Sequence, residues 1–130
     1  MAASPPSIDP HRPKVILIDD DEGVRRSLQL LLHWRGFEVR SFGTATPALQ
    51  DHCPASADIL IVDYVLPDGD GIGVLDAFRA LGWRGRAILM TALPSSALSQ
   101  RALASGFDVV LEKPLYHQDL LAAILPRSTP

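Results

Sequence analysis

At four places along the chain, an apolar run is followed by one or two residues whose side chains could take part in a reaction. These residues are Asp19, Asp20, Asp63, Thr91 and Lys113. Three carboxylates that meet in one place repel one another unless a cation neutralises them, and oxygen ligands without His or Cys are typical of Mg²⁺ or Mn²⁺. A metal beside an aspartate nucleophile, a hydroxyl group and an ammonium group suits phosphoryl transfer. In that chemistry Asp63 is the nucleophile, Thr91 donates a hydrogen bond to a phosphoryl oxygen, and Lys113 balances its charge.

Asp63 ends the aliphatic run 59–62, which predicts a strand that is buried on both faces. After it, Pro67, Gly69 and Gly71 predict a loop, and a helical pattern begins at Ile72. A single aspartate at the end of a strand is more often a cap of the next turn than a functional group. The functional hypothesis therefore depends on the whole set of residues.

The rest of the chain alternates between short apolar runs and stretches with helical spacing. Asp21 is a predicted N-cap, and Gly36 and Gly106 are predicted helix ends. Strands that alternate with helices need right-handed crossovers, so we predict an α/β fold with a doubly wound, five-stranded parallel sheet and five helices. The C-terminal ends of its strands share one edge, where such sheets bind ligands. The predicted strands are 15–18, 37–42, 59–62, 86–91 and 107–111, and the predicted helices are 22–35, 46–53, 72–81, 95–104 and 117–125.

Composition narrows the class of protein further. With 130 residues, of which 47% are hydrophobic, the chain can bury one core. Its net charge of −3 and its lack of any block of Lys and Arg argue against direct nucleic-acid binding. The single cysteine, Cys53, cannot form an internal disulfide, and no apolar run is long enough for a membrane span. We predict a soluble protein of the reducing cytoplasm.

The ends of the chain differ in composition from its centre. Residues 1–13 contain four prolines and little apolar spacing, so we predict a flexible N-terminal arm. Residues 14–125 form the predicted domain. Residues 126–130 are either a C-terminal tail or the start of a linker.

The order and spacing of the candidate residues resemble the receiver (CheY-like) domains of two-component response regulators. The resemblance covers about residues 14–125. Its marks are the acidic pair Asp19-Asp20, Asp63 followed by Pro67 and Asp70-Gly71, Met90-Thr91-Ala92, and Lys113-Pro114. The stretch 24–28, the Gly36-Phe37 turn and residues 111–114 are also similar to receivers of the FixJ or NarL type.

This resemblance implies a role for each candidate residue. Asp63 would accept a phosphoryl group from a sensor histidine kinase or a histidine phosphotransfer protein, while Thr91 and Lys113 would contact that group. The domain would assist its own phosphorylation and slow dephosphorylation without being a turnover enzyme. The implied ligands of Mg²⁺, or of Mn²⁺, are Asp19, Asp20, Asp63 and the backbone carbonyl of Val65.

One position departs from the pattern of the family. Receivers usually carry Tyr or Phe three residues before the lysine, where this chain has Val110. An isopropyl group has no ring that could move between buried and exposed positions. We therefore expect a smaller phosphorylation-driven change and a monomer or weak dimer.

Two other function classes account for part of the pattern. One is a receiver-like interaction module that works without phosphorylation; retention of the full acidic, Thr and Lys set argues against it. The other is a haloacid-dehalogenase-like phosphatase, since Asp19 to Gly23 approaches a D-x-D signature. Gly23 stands where that signature has Thr or Val, which makes this the weaker alternative.

Overall fold

Five parallel strands form the central sheet of the computed structural model, which describes residues 12–50 and 56–124. Their order across the sheet is β2-β1-β3-β6-β7, so the predicted α/β fold is confirmed. Two further short strands, β4 and β5, pair antiparallel with each other. The strands are β1 (Lys14–Ile18), β2 (Glu38–Phe42), β3 (Ile59–Asp63), β4 (Val65–Leu66), β5 (Gly69–Asp70), β6 (Arg86–Thr91) and β7 (Val109–Glu112).

The helices begin and end where local chemistry favours it. Asp21, Asp70 and Ser95 are N-caps, each accepting a hydrogen bond from the backbone N–H three residues later. Gly36 and Gly106 follow helices with φ of 93° and 112°, which a residue with a side chain rarely adopts. The helices of the described residues are α1 (Glu22–Trp34), α2 (Ala45–Gln50), α3 (Gly71–Ala80), α4 (Ser96–Ser105) and α5 (His117–Ile124).

Both faces of the sheet are covered, which explains why the central strands are aliphatic. On one face α1 and α5 pack against alternate strand residues, and on the other face α2, α3 and α4 do so. All five residues of β3 are buried, as its uninterrupted apolar run predicts. The core therefore holds β3 rigidly, and Asp63 at its end has little freedom to move.

The segment after Asp63 differs from the predicted loop. Val65 pairs with Asp70 and Leu66 with Gly69, so this segment is a tight antiparallel hairpin. The helix then begins at Gly71 instead of Ile72, because Asp70 caps it. A Cβ atom at Gly71 would lie 2.7 Å from the Asp63 carbonyl oxygen, so only glycine allows this close approach. Periodicity misses the hairpin because each of its strands has two residues.

The predicted N-terminal arm lies mostly outside the described residues, but its last two residues do not. Arg12 donates hydrogen bonds to the carbonyl oxygens of Gly36 and Phe37 at 3.0 and 3.3 Å. The carbonyl of Pro13 accepts one from Glu38 N–H at 2.9 Å. Residues 12 and 13 are thus tied to the end of α1 and the start of β2. The predicted tail 126–130, the end of the second predicted helix and Cys53 lie outside the described residues.

Candidate functional site

The parallel sheet brings three of the predicted residues into direct contact. Lys113 Nζ lies 2.7 Å from Asp63 Oδ2 and 2.8 Å from Asp19 Oδ2. The three side chains come from residues at or just after the ends of β7, β3 and β1. Because β6 separates β7 from β3, this contact depends on the reach of the long lysine side chain.

Asp19, Asp20 and Asp63 form an acidic cluster at the same edge. Each offers a carboxylate oxygen, and the three atoms lie within 4.8 Å of one another. Asp19 is fully buried and Asp63 is 7% exposed, whereas Asp20 is open to solvent. The cluster thus combines two enclosed carboxylates with one that is accessible from outside.

The donor set of this cluster fits a hard divalent cation. Asp19 Oδ2 is buried and has an ion-pair partner in Lys113, but no described residue gives it a hydrogen bond of good geometry. Three carboxylates face one ammonium group there, so negative charge is left over. Oxygen ligands with unused lone pairs and excess negative charge are what Mg²⁺ or Mn²⁺ requires.

The charges at the site shift the pKa values of their neighbours. Burial raises the pKa of Asp19 above its ordinary value, and the nearby ammonium group of Lys113 opposes this only in part. For Lys113, burial alone would lower the pKa, but Asp19 and Asp63 together outweigh burial and raise it. Lys113 is therefore charged at neutral pH, whereas the ionised form of Asp19 is held at a cost.

Thr91 lies at the end of β6, between the strands that carry Asp63 and Lys113. It is 2% exposed, and its Oγ1 accepts a hydrogen bond from Leu93 N–H at 3.1 Å. Its carbonyl accepts one from Lys113 N–H at 2.7 Å. The hydroxyl group keeps its own hydrogen available for another acceptor.

Val65 is the remaining residue of the predicted set. Its backbone N–H is 3.4 Å from Asp63 Oδ1, while its side chain is 62% exposed. The structure thus places the Val65 backbone beside the acidic cluster. That its carbonyl binds a metal stays a prediction.

Val110, which stands where the family usually has an aromatic residue, lies at the edge of the core. Val110 is half-buried and packs, like Tyr64, against the core on the face covered by α2, α3 and α4. Tyr116, which follows β7, is 68% exposed and does not replace the missing ring in that core. The Tyr64 hydroxyl oxygen accepts a hydrogen bond from Arg101 Nη1 of α4 at 3.4 Å.

Two supporting residues were not singled out by the sequence. Arg25 of α1 donates to the Asp19 carbonyl at 2.7 Å. Asp68, in the turn between β4 and β5, accepts hydrogen bonds from the backbone N–H groups of Ala45 and Thr46 and from the Thr46 hydroxyl. Asp68 thereby caps α2 from a distant loop. The Asp68 contacts join residues 22 and 23 positions apart, and the Arg25 contact spans six residues between a strand end and a helix. Neither follows the period of a single helix or strand, so no local pattern predicts them.

Fold and site together define the class of protein. The chain matches the response regulator receiver domain family over residues 15–125. It belongs to this family, and the prediction of a receiver domain of two-component signalling is confirmed. Among the described residues, no helix is long and apolar enough to cross a membrane.

Two of the curated relatives are named as transcriptional regulatory proteins. The chain is 34% identical over 119 residues to the probable transcriptional regulatory protein y4xI of Sinorhizobium fredii, covering 89% of this chain and 52% of that protein. It is 33% identical over 111 residues to the transcriptional regulatory protein KdpE of Mycobacterium tuberculosis, with coverages of 85% and 48%. The chain thus spans about half the length of these relatives. They do not confirm the FixJ or NarL subtype.

Solved structures give the same family. The chemotaxis protein CheY4 of Vibrio cholerae has a TM-score of 0.81 and 25% identity, with 87% of this chain and 96% of that chain covered. A response regulator of Burkholderia pseudomallei, described with a phosphorylated aspartic acid and a calcium ion, has a TM-score of 0.78 and 26% identity. That comparison covers 87% of this chain and 66% of the other.

Proposed function

We propose that this domain accepts a phosphoryl group on Asp63 in a reaction that depends on Mg²⁺. The observation that carries the proposal is the contact of Lys113 with both Asp63 and Asp19, at 2.7 and 2.8 Å. Charged side chains are usually exposed, so the enclosure of one lysine and two aspartates at one edge of a sheet is unusual. As a phosphoryl-transfer site, the same group of charges has a clear use.

The reaction moves one phosphoryl group between two nucleophiles. An Asp63 carboxylate oxygen attacks the phosphorus of a phosphohistidine, a P–O bond forms, and the P–N bond breaks. The imidazole leaves with the bonding electrons and takes up a proton from solvent. The product is an acyl phosphate on Asp63.

The chain's own residues stabilise the charge that develops on the phosphoryl oxygens. Lys113, which is charged at neutral pH, offers its ammonium group to one of them. The Thr91 hydroxyl donates a hydrogen bond to another. The rigid core behind β3 keeps the Asp63 carboxylate in a fixed position for attack.

A divalent metal completes this site. Asp19, Asp20, Asp63 and the Val65 carbonyl would hold Mg²⁺, with Mn²⁺ as a substitute. When bound, the ion supplies the positive charge that neutralises the carboxylates and the incoming phosphoryl oxygens. The raised pKa of Asp19 supports this assignment, since a cation would stabilise its ionised form.

The partners follow from the chemistry. Receiver domains of response regulators interact with histidine kinases, and we propose a sensor histidine kinase or a histidine phosphotransfer protein as the donor. The domain works in the cytoplasm, without direct contact with nucleic acid or membrane, as a monomer or weak dimer. It is a phosphoacceptor and not a turnover enzyme.

Acetyl phosphate with Mg²⁺ tests the assignment. The parent chain should gain one base-labile phosphoryl group, seen by intact mass, and Asp63→Asn should gain none. Asp76→Asn is the matched control, because Asp76 is an exposed carboxylate on α3. Equal labelling of Asp63→Asn and parent would show that the acceptor is wrong. Continuous release of phosphate would favour a phosphatase, and labelling that fails with or without Mg²⁺ would favour an interaction module.

A further inference from the structure

Arg25 reaches from the first turns of α1 to the backbone of the acidic cluster. Its Nη1 donates to the Asp19 carbonyl at 2.7 Å, a short distance for a charged donor. The residue is half-buried, unlike its neighbour Arg26, whose side chain is 74% exposed and pairs with Glu22 on the helix surface. The two adjacent arginines therefore have different surroundings.

The Asp19 carbonyl belongs to the peptide unit that joins Asp19 to Asp20. That unit is planar, so holding its oxygen restricts the position from which the Asp20 side chain starts. The N–H of Asp19 is held separately, by the Phe42 carbonyl at 3.1 Å. The end of β2 thus holds the peptide that precedes Asp19, and Arg25 holds the peptide that follows it and leads to Asp20.

Gly43 leaves the space that the guanidinium group of Arg25 occupies. A Cβ atom at Gly43 would lie 3.2 Å from Arg25 Nη1 and 3.8 Å from its Cζ, so one of the two groups would have to give way. The φ angle of Gly43 is not in the left-handed region, and its backbone does not require glycine. Packing against Arg25 is the constraint that the structure shows at this position.

We propose that Arg25 is a positioning residue of the metal site, acting through the Asp19–Asp20 peptide. This inference rests on the proposed function, since it assumes that the acidic cluster binds Mg²⁺. Arg25 touches neither the metal nor the phosphoryl group. Its effect is to hold the exposed Asp20 carboxylate where it can share a cation with Asp19 and Asp63.

Charge and position have opposite consequences here, which makes the proposal testable. Arg25 adds a positive charge next to the cluster, so removing that charge alone would tighten cation binding. Removing the anchor would loosen the Asp20 carboxylate and weaken binding. The sign of the change in Mg²⁺ affinity separates the two effects.

The experiment compares Arg25→Met with the control Arg26→Met, which removes the same charge one residue along. Mg²⁺ is titrated and followed by amide chemical shifts, and free Mn²⁺ is measured by electron paramagnetic resonance. We expect Arg25→Met to weaken binding roughly tenfold, the lower end of the range for outer-shell partners of metal ligands. Arg26→Met should bind as the parent does. Arg25→Lys, which keeps the charge without the planar fork, should fall between parent and Arg25→Met.

Gly43→Ala is a second variant that keeps Arg25 but disturbs its place, and it should weaken binding by a smaller factor. Tighter or unchanged binding in Arg25→Met, with Gly43→Ala equal to the parent, would overturn the proposal. Urea unfolding of each variant without metal shows whether the fold is intact. If the parent itself binds neither Mg²⁺ nor Mn²⁺, the proposed function fails first, so the two failures are distinguishable.

Discussion

Two carboxylates near the C-terminal edge of the sheet have pKa values that are shifted in opposite directions. Asp19 is fully buried, and burial raises its pKa. Asp68 is solvent-exposed, and the Thr46 hydroxyl with two backbone N–H groups lowers its pKa to about 2. A carboxylate that is favourable in its ionised form stabilises the fold by itself. One whose ionised form is unfavourable needs a further positive charge, and this difference separates the structural Asp68 from the proposed metal ligand Asp19.

The largest expected effect comes from removing the positive charge beside the carboxylates of Asp19 and Asp63. Lys113→Met leaves Asp19 and Asp63 facing each other without an ammonium group. We expect the free energy of unfolding at pH 7 to fall by about 1 to 3 kcal/mol, the cost of leaving a buried polar group without its partner. Urea unfolding without metal measures it. Mg²⁺ should restore part of the loss.

The sign of the Lys113 contribution sets its pH range. Its pKa is raised on folding, so its stabilisation is complete below the unfolded value of 10.5 and is lost as the pH rises through the folded value. The difference between parent and Lys113→Met should therefore be constant across neutral pH. A difference that vanishes between pH 6 and pH 8 would contradict this account.

Unlike Lys113→Met, Asp19→Asn should not lower the free energy of unfolding without metal, but it should weaken Mg²⁺ binding. Because the pKa of Asp19 is raised, its ionised form disfavours the folded state at neutral pH, and that penalty declines as the pH falls below the raised value and is gone below 3.8. The variant without metal should thus be at least as stable as the parent. It should lose most of the stabilisation that saturating Mg²⁺ gives the parent, about 1.4 kcal/mol at ten times the dissociation constant.

Thermal unfolding with and without Mg²⁺ checks this prediction. A clear loss of stability in metal-free Asp19→Asn would show that Asp19, like Asp68, is mainly structural. The two carboxylates would then have the same structural role.

Asp68→Asn should destabilise the fold less than Lys113→Met, and only above acidic pH. The lowered pKa means that the contribution of Asp68 is complete above about pH 4 and is lost as the pH falls toward 2. We expect parent and variant to differ in urea midpoint at pH 7 and to converge in acid. The affinity for Mg²⁺ should be unchanged. A weaker affinity would show that Asp68 also supports the metal site.

The smallest expected effect is that of Thr46→Val. The Thr46 hydroxyl is 2.7 Å from Asp68 Oδ2 and is the largest cause of the lowered pKa. Its removal should raise the pKa of Asp68, but only part of the way to 3.8, because two backbone donors remain. Carboxyl carbon shifts in a pH titration measure it. An unchanged pKa would assign the effect to the backbone donors alone.

Much of the fold follows from local patterns. The aliphatic runs at 15–18, 59–62 and 86–91 are strands because a buried parallel strand is apolar on both faces. Asp21 and Gly106 limit their helices because capping and a left-handed φ depend on a few neighbouring residues. The last predicted strand is displaced: it begins at Val109, and Phe107 lies in the core before it. Apolarity alone cannot distinguish a strand residue from a buried loop residue.

Apolar runs and helical spacing are enough to predict the alternation of elements, the parallel sheet and the edge at which Asp19, Asp63, Thr91 and Lys113 lie, because the strands of such a sheet all point one way. Three contacts emerge only once the chain is folded: Lys113 reaches past β6 to two aspartates, Arg25 binds the Asp19 carbonyl, and Asp68 caps α2. The Lys113 and Asp68 contacts join residues distant in sequence, and the Arg25 contact joins two different elements across six residues. Their distances depend on side-chain reach and helix packing, and neither leaves a periodic signal in the chain.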